Sequence, residues 1–511
     1  MQSPLLEGLL PDDVENAIAV LERIARDRTL LTSIRRERRI ALLEAAGRVS
    51  QPTREENRRV AKAFRKHERA LARRRDREVV STTEIRVARS AEVFIAPKQL
   101  VSGDHNVEET RELETPRDCY VCKAPFKKLH FFYDAMCPPC AELNYAKRFQ
   151  TADLSGRVAL ITGARIKIGY QAALMMLRAG ARVLVTTRFP RDAAARYARE
   201  ADFDAWKDRL EVFGLDLRHA PSVETFARWL VATRPRLDIL INNAAQTVRR
   251  PPAFYAHLLE RETCGFDALP SEVKRLLEKH EECKAALGGI APPTAQAGFV
   301  RWSGGEGPGL GIRASAELSQ IPCAYDDASG DREAFPEGRV DADLQQIDLR
   351  PVNSWRLRLA DVPSPEMLEV QLVNAVAPFI LASKLKPLML RATGARHVVN
   401  VSAMEGQFAR GTKTDKHPHT NMAKAALNMM TLTSAPDYAR DGIYMNAVDT
   451  GWVTDEDPQA ISLRKQREMD FQPPLDIVDG AARVCDPFFS GILSGTHEYG
   501  KFFKDYKPAP W

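Results

Sequence analysis

The chain has 511 residues, more than one folding unit needs, and its hydrophobic share of 44% suits a globular protein with a large core. No run of about 18 apolar residues occurs, so no membrane span is predicted; the acidic start MQSPLLEGLLPDDVEN lacks the basic end and apolar run of a secretory signal, and a cytoplasmic protein is expected. The net charge of +6 is uneven, with 19 Arg/Lys against 9 Asp/Glu between Glu22 and Glu78, so the rest of the chain is slightly acidic.

The first hundred residues read as a basic helical region. Val14, Ala17, Ile18, Leu21 and Ile24 share one helix face after a Pro11-Asp12 start, and a second segment runs from about Ser33 to a stop near Gly47. A third begins at Thr53, where Glu56 completes a capping box, and continues through RRVAKAFRKHERALARRR with too few apolar positions to bury much. Arginine density of this kind suits a solvated face, an acidic partner or nucleic acid; Phe64 is the lone aromatic there, which disfavours single-stranded nucleic acid. Val79 to Arg117 reads as irregular, with β-prone pieces such as EVFIAP.

Cys119, Cys122, Cys137 and Cys140 form CxxC-x14-CxxC. Two residues between thiolates let one tight turn present both sulfurs, and two such turns face to face complete a tetrahedral zinc shell. Iron in a rubredoxin-like site and a bare redox pair are the alternatives. Four thiolates leave no open position, so the metal is expected to be structural. Phe126, Phe131, Phe132 and Tyr133 are expected in the core of this module, over residues 101–150, whose other use is as a protein-binding surface.

After Leu154 the pattern changes. VALITG, ARVLVTTR, RLEVFGLDL and LDILINNAA are short apolar runs separated by helical stretches, which predicts an α/β doubly wound parallel sheet covered on both faces. The first run leads into Thr162-Gly163-Ala164-Arg165-Ile166-Lys167-Ile168-Gly169, a glycine turn between a strand and a helix. That placement aims helix N-terminal amides at a dinucleotide pyrophosphate.

From about 154 to 454 the chain resembles the short-chain dehydrogenase/reductase family. The turn is similar to that family's TGxxxGxG, with Lys167 where the family has its middle glycine. The resemblance implies cofactor contacts from Thr162, Gly163, Arg165, Lys167, Ile168 and Gly169, from the adenine-side acid Asp216, from Asn243 and Ala244 in the NNAG-like stretch 242–245, and from Gly451 and Thr454 after the sixth strand. The second strand ends on Arg188 with no acid for a ribose 2′-hydroxyl, which favours NADP over NAD. Thr450 stands where the family has a proline.

The family's catalytic residues are similar to Asn374, Ser402 and Lys424, the lysine also contacting the nicotinamide ribose. Its YxxxK tyrosine is replaced by Thr420. A threonine hydroxyl is too weak an acid and too short to replace a phenol. Three readings stay open: a nucleotide-binding protein without hydride chemistry, another acid such as His417 or His419, or a reaction needing no strong acid.

Asn242 and Asn374 lie 132 positions apart. The family spacing implies about a hundred extra residues beside the cleft, roughly 247–360, containing RRPPAFYAHLL, a helix near SEVKRLLEKHEECKAAL and a Gly/Pro-rich stretch near SGGEGPGLG. Such insertions are lids or interaction loops, and Arg249 and Arg250 begin it as candidate anion binders. The end, EYGKFFKDYKPAPW, is expected to give a last strand and packed aromatics. The region 151–511 is thus read as an NAD(P)-binding, oxidoreductase-like Rossmann domain acting on a small carbonyl or alcohol substrate. A scaffold with a protein partner is the second reading, nucleic-acid binding the third for want of a recognised reading motif, and homo-oligomers are common in the family.

Overall fold

The computed structural model describes residues 10–95, 111–288, 309–322, 327 and 333–511. Contacts divide the chain into Met1–Arg75 and Asp76–Trp511, with the division inside one long helix.

In the first unit α1 (Pro11–Arg26) starts on its proline, with Asp12 and Asp13 in the first turn and Arg26 in the last, each placed favourably for the helix dipole. Helix α2 (Arg36–Ser50) runs through Gly47, where a stop was expected; an interior glycine weakens a helix by about 1 kcal/mol without ending it. Helix α3 (Arg54–Ser81) opens on the expected capping box, with Thr53 N and Glu56 Oε2 at 2.7 Å. Neither α1 nor α2 contains a buried residue.

The second unit begins with the end of α3 and α4 (Glu84–Ser90), so helix extends into the stretch read as irregular. Glu92–Ile95 of EVFIAP is not a strand, and Ala96-Pro97 lies outside the described residues. Strands β1 (Glu112–Asp118) and β2 (Pro125–Lys128) form an antiparallel pair, followed by α5 (Pro138–Arg148). Phe126, Phe132 and Tyr133 fill the core of this module with Ile85 of α4, and Phe131 packs against it.

The large sheet is built from β3 (Val158–Thr162), β4 (Arg182–Thr187), β5 (Leu210–Gly214), β6 (Ile239–Asn242), β7 (Arg396–Ser402), β8 (Ile443–Asp449), β9 (Phe502–Lys504) and β10 (Lys507–Ala509). Its order is β10-β9-β8-β7-β6-β3-β4-β5, parallel throughout except for the β9–β10 hairpin. Period-two side chains send Ala159 and Ile161 to one face and Leu160 to the other. The first face is covered by α6 (Lys167–Arg178), α7 (Pro190–Tyr197) and α16 (Ile477–Ser494). The second is covered by α8 (Ala220–Thr233), α13 (Ala377–Leu390) and α14 (Pro418–Arg440). Successive strands are added to one side of β3 as far as β5 and to its other side from β6 onward, so the parallel pair β3–β6 marks the switch point where open α/β sheets bind ligands.

The insertion supplies α9 (Ala256–Thr263), α10 (Ser271–Gly288) and α11 (Leu310–Arg313), the second being the helix expected at SEVKRLLEKHEECKAAL. Most of SGGEGPGLG falls outside the described residues. Helix α12 (Ser364–Gln371) continues through a π turn at Leu372–Val376 into α13. Ser364–Leu390 is long and apolar enough to cross a membrane, but its Leu381, Leu385 and Leu388 are built into the core beneath the sheet. Helix α15 (Gln459–Met469) follows β8. Of the tail aromatics Phe502 and Phe503 are buried, while Tyr499 is exposed.

Candidate functional site

The turn from β3 into α6 is held from the neighbouring strand. Thr162 Oγ1 accepts the N–H groups of Asn243 and Ala244 at 3.1 and 3.0 Å. The Asn243 amide donates back to the carbonyls of Thr162 and Gly163 at 3.0 and 3.1 Å. Gly163 sits at φ 69°, and a Cβ at Gly169 would lie 2.4 Å from the Gly163 carbonyl, so both glycines are sterically required. Lys167 occupies the family's middle-glycine place with glycine's own geometry, φ 55°. Its charge reaches Asp343: burial raises that carboxyl, and Lys167 is the largest opposing influence.

A cleft of about 570 Å³ opens over this turn. Its walls come from Gly163–Gly169, the end of β4 at Thr186–Phe189, Leu215–Arg218 after β5, Asn243–Val248 after β6, and Val453–Ser462 after β8. Gly163, Arg165, Lys167, Ile168, Gly169, Arg188, Asp216, Asn243, Ala244 and Thr454 all line it, whereas Thr162 and Gly451 lie behind the lining. Phe254, Tyr255, Gln345 and Asp348 of the insertion close the far side. These were invisible to motif reasoning, because their role depends on where a long loop returns.

Several candidate contacts are already engaged within the protein. Both carboxylate oxygens of Asp216 accept from Arg218, the shorter contact being 2.7 Å, and its N–H donates to Gly311 O at 2.8 Å. Burial pushes this carboxyl up, but the Arg218 bonds and charge outweigh it and leave the group below its ordinary range. Arg218 thus shares the carboxylate that the resemblance assigns to the adenine, and Asp216 still lines the cleft. Arg165 is buried against Asp192 at 2.8 Å and Gln345. Arg249 pairs with Asp327 and with Glu369 of α12, and Arg250, which lines the cleft, pairs with Asp348, so both expected anion binders have carboxylate partners within the protein. Arg188 is different: it receives no carboxylate among the described residues, and its partner is the Tyr255 hydroxyl at 2.6 Å, with that ring 4.5 Å from the guanidinium.

The catalytic end is built otherwise. Asn374 lies in the π turn, its Oδ1 accepting Gln246 N–H at 2.7 Å and its Nδ2 donating to Gln246 O at 3.2 Å. Ser402 donates to Asn428 Oδ1 at 2.5 Å, and Lys424 donates to Val401 O at 2.8 Å. All three are buried, and none lines the cleft. Burial lowers the Lys424 ammonium to about 8 against the pull of Glu405 and Asp449. Thr420 is buried with its hydroxyl unpartnered. His417 stacks flat on Trp355, ring centroids 3.9 Å apart, and His419 pairs with Glu366 at 3.1 Å. Neither histidine lines the cleft. The last part of the insertion crosses this end: Asn353 donates to Glu456 O at 2.9 Å and His417 N–H to Leu357 O at 2.8 Å.

The four cysteines converge, with all Sγ atoms within 4.8 Å of one another and Cys122 and Cys137 at 3.6 Å. A tetrahedral site with Zn–S bonds of about 2.3 Å needs sulfurs roughly 3.8 Å apart, so this donor set fits zinc.

Fold, switch-point cleft and glycine turn together define a Rossmann-type α/β protein. A family model described as short chain dehydrogenase matches residues 157–260, and one described as Enoyl-(Acyl carrier protein) reductase matches 342–474. The chain is 32% identical over 406 residues to "Uncharacterized protein R665" of Acanthamoeba polyphaga mimivirus, covering 76% of this chain and 74% of that one. It is 37% identical over 107 residues to "Dehydrogenase/reductase SDR family member 13" of Bos taurus, covering 21% of this chain and 26% of that protein. Over 100 residues it is 38% identical to "Retinol dehydrogenase 14" of Mus musculus, covering 18% and 30%. The chain thus spans about a quarter of the length of these last two relatives. The solved structure of the "Pseudomonas aeruginosa RhlG/NADP active-site complex" aligns at 18% identity and TM-score 0.41, covering 69% of this chain and 95% of that one. Two stretches of the chain, residues 157–260 and 342–474, are thus similar to short-chain dehydrogenase-type family models.

Proposed function

We propose that this protein is an atypical, NADP-binding member of the short-chain dehydrogenase/reductase family whose dinucleotide site is retained and whose proton-transfer end is not built for the family's ordinary reaction. The observation that carries the reading is the division within the cleft. The glycine turn, Lys167 and Arg188 line it, whereas Asn374, Ser402 and Lys424 are buried behind it with protein partners. The residues fit the cofactor: the pyrophosphate belongs at the α6 amides beside Lys167, and Arg188 suits a 2′-phosphate. Bound NADP(H) supplies a hydride donor or acceptor. Lys424 is placed to hold a ribose if it leaves Val401, but Thr420 supplies no acid for a substrate oxygen. His419 is a poor substitute, since Glu366 holds one ring nitrogen and helix geometry turns residue 419 about 100° from the face of Thr420 and Lys424. The cysteine module is proposed to hold one structural zinc through Cys119, Cys122, Cys137 and Cys140.

Titration of the full chain with NADPH and NADH, followed by incubation with generic aldehydes and ketones, tests the reading. Saturable binding with NADPH the tighter ligand, and no sustained NADPH oxidation, is expected. Absence of NADPH binding refutes it, and steady turnover restores the ordinary dehydrogenase reading.

A further inference from the structure

Tyr120 stands inside the first cysteine pair, one residue after Cys119. Its phenol oxygen accepts the backbone N–H of Trp452 at 3.0 Å, and a Cβ at Gly451 would lie 3.2 Å from the same oxygen. The backbone of Tyr120 is fixed in turn: its N–H donates to Ala135 O at 2.8 Å, tying the first cysteine turn to the approach of the second, and Lys123 donates to its carbonyl at 2.6 Å. The segment that Tyr120 holds leads directly into the cleft wall at Val453–Ser462.

The same wall is buttressed further along. Val453, Leu475 and Ile477 share one buried apolar cluster with Phe132, Tyr133 and Met136 of the cysteine module, and Ile168 of the glycine turn packs against it. Arg89 donates to Leu475 O at 2.6 Å, the Tyr133 hydroxyl to Asp479 at 2.5 Å, and Arg148 to Asp476 at 2.7 Å. The module therefore forms the back of the wall that carries Gly451 and Thr454.

We propose that Tyr120 is a positioning residue for the dinucleotide site, and that metal occupancy of the four cysteines sets how tightly the cleft holds a dinucleotide. The inference rests on the NADP and zinc readings above. A tetrathiolate site locks the two cysteine turns to each other, and Tyr120 lies within one of them. Releasing the metal frees that turn, and the Gly451–Thr454 backbone loses its support. Linkage makes the effect reciprocal: dinucleotide binding must then tighten the hold on zinc by the same factor.

The test uses the full chain in three forms: zinc-loaded, chelator-stripped and zinc-restored, with zinc content measured alongside NADPH titrations. Stripping is expected to weaken NADPH binding at least tenfold, and zinc to restore it. Tyr120→Phe removes only the hydroxyl; it is expected to keep one zinc per chain and lower the thermal midpoint by no more than about 2–4 °C, while weakening NADPH binding roughly fivefold because the Gly451–Thr454 backbone is held less firmly. Saturating NADPH should slow zinc transfer to a colorimetric chelator in the wild type more than in Tyr120→Phe. Equal affinities in stripped and loaded protein, an unaffected Tyr120→Phe, or a chain that takes up no zinc each overturn the proposal. A zinc-loaded chain that binds no NADPH refutes the NADP reading itself, which the zinc measurement makes distinguishable.

Discussion

Replacing Lys167 with glycine separates two roles that the family pattern confounds. At φ 55° an L-residue costs roughly 1–2 kcal/mol, and glycine removes that strain. Glycine also adds about 0.4–1 kcal/mol of unfolded-state entropy, so the net effect is a gain of about 0.5–1 kcal/mol in stability. If the ammonium meets the cofactor pyrophosphate, the same change removes a charge-assisted contact worth about 1.5–3 kcal/mol in a dry site. Lys167 is half-exposed and shares its field with Asp343, so the lower end applies, about tenfold in affinity. Urea denaturation and NADPH titration at low and high salt read the two quantities separately. Lys167→Gly should be more stable, bind NADPH more weakly and show a flatter salt dependence. Binding as tight as the wild type, or tighter, would mean that the side chain obstructs the phosphate rather than holding it.

Other perturbations reach the same site from different sides. Arg188→Ala should weaken NADPH by about tenfold or more and leave NADH within about twofold, measured by competition titration; equal losses would remove Arg188 from 2′-phosphate recognition. Lys424 has a folded value of about 8 against an ordinary 10.5, so between those values the unfolded chain binds the proton that the folded chain releases, and stability rises with pH across that window. Lys424→Met should abolish the rise and gain on the order of 3 kcal/mol near pH 7, less its lost bond to Val401, as read by denaturation at pH 7, 8 and 10. Thr420→Tyr should not restore carbonyl reduction and should cost about 1–3 kcal/mol, because a phenol must enter a closed space; reductase activity in this variant would show the catalytic end to be intact. Cys137→Ser should bind less than one zinc per chain and expose the module to limited proteolysis, whereas full zinc content would dismiss Cys137 as a ligand.

Much of the architecture was legible because it follows from local rules. Alternating apolar runs announce a sheet buried on both faces, and β3 through β6 lie where VALITG, ARVLVTTR, RLEVFGLDL and LDILINNAA placed them. The capping box at Thr53 and the helix at SEVKRLLEKHEECKAAL are equally local. Gly47 misled because a glycine inside a helix and one that ends it look alike without knowledge of the next turn.

The cysteine cluster and the glycine turn show what sequence by itself determined: residue type and short spacing suffice when one turn of backbone sets the geometry. The state of the long side chains was decided only in three dimensions. Asp216 carries the family's acid, yet Arg218 and the returning insertion at Gly311 engage it. Arg249 and Arg250 look like free cations in a loop, yet Asp327, Glu369 and Asp348 neutralise them from about 80 to 120 residues away. Thr420 could be recognised as a loss from position alone, but the burial of Ser402 and Lys424 behind the cleft could not. Charge and hydrogen bonding depend on which partners arrive from distant segments, and a one-dimensional pattern carries no record of their arrival.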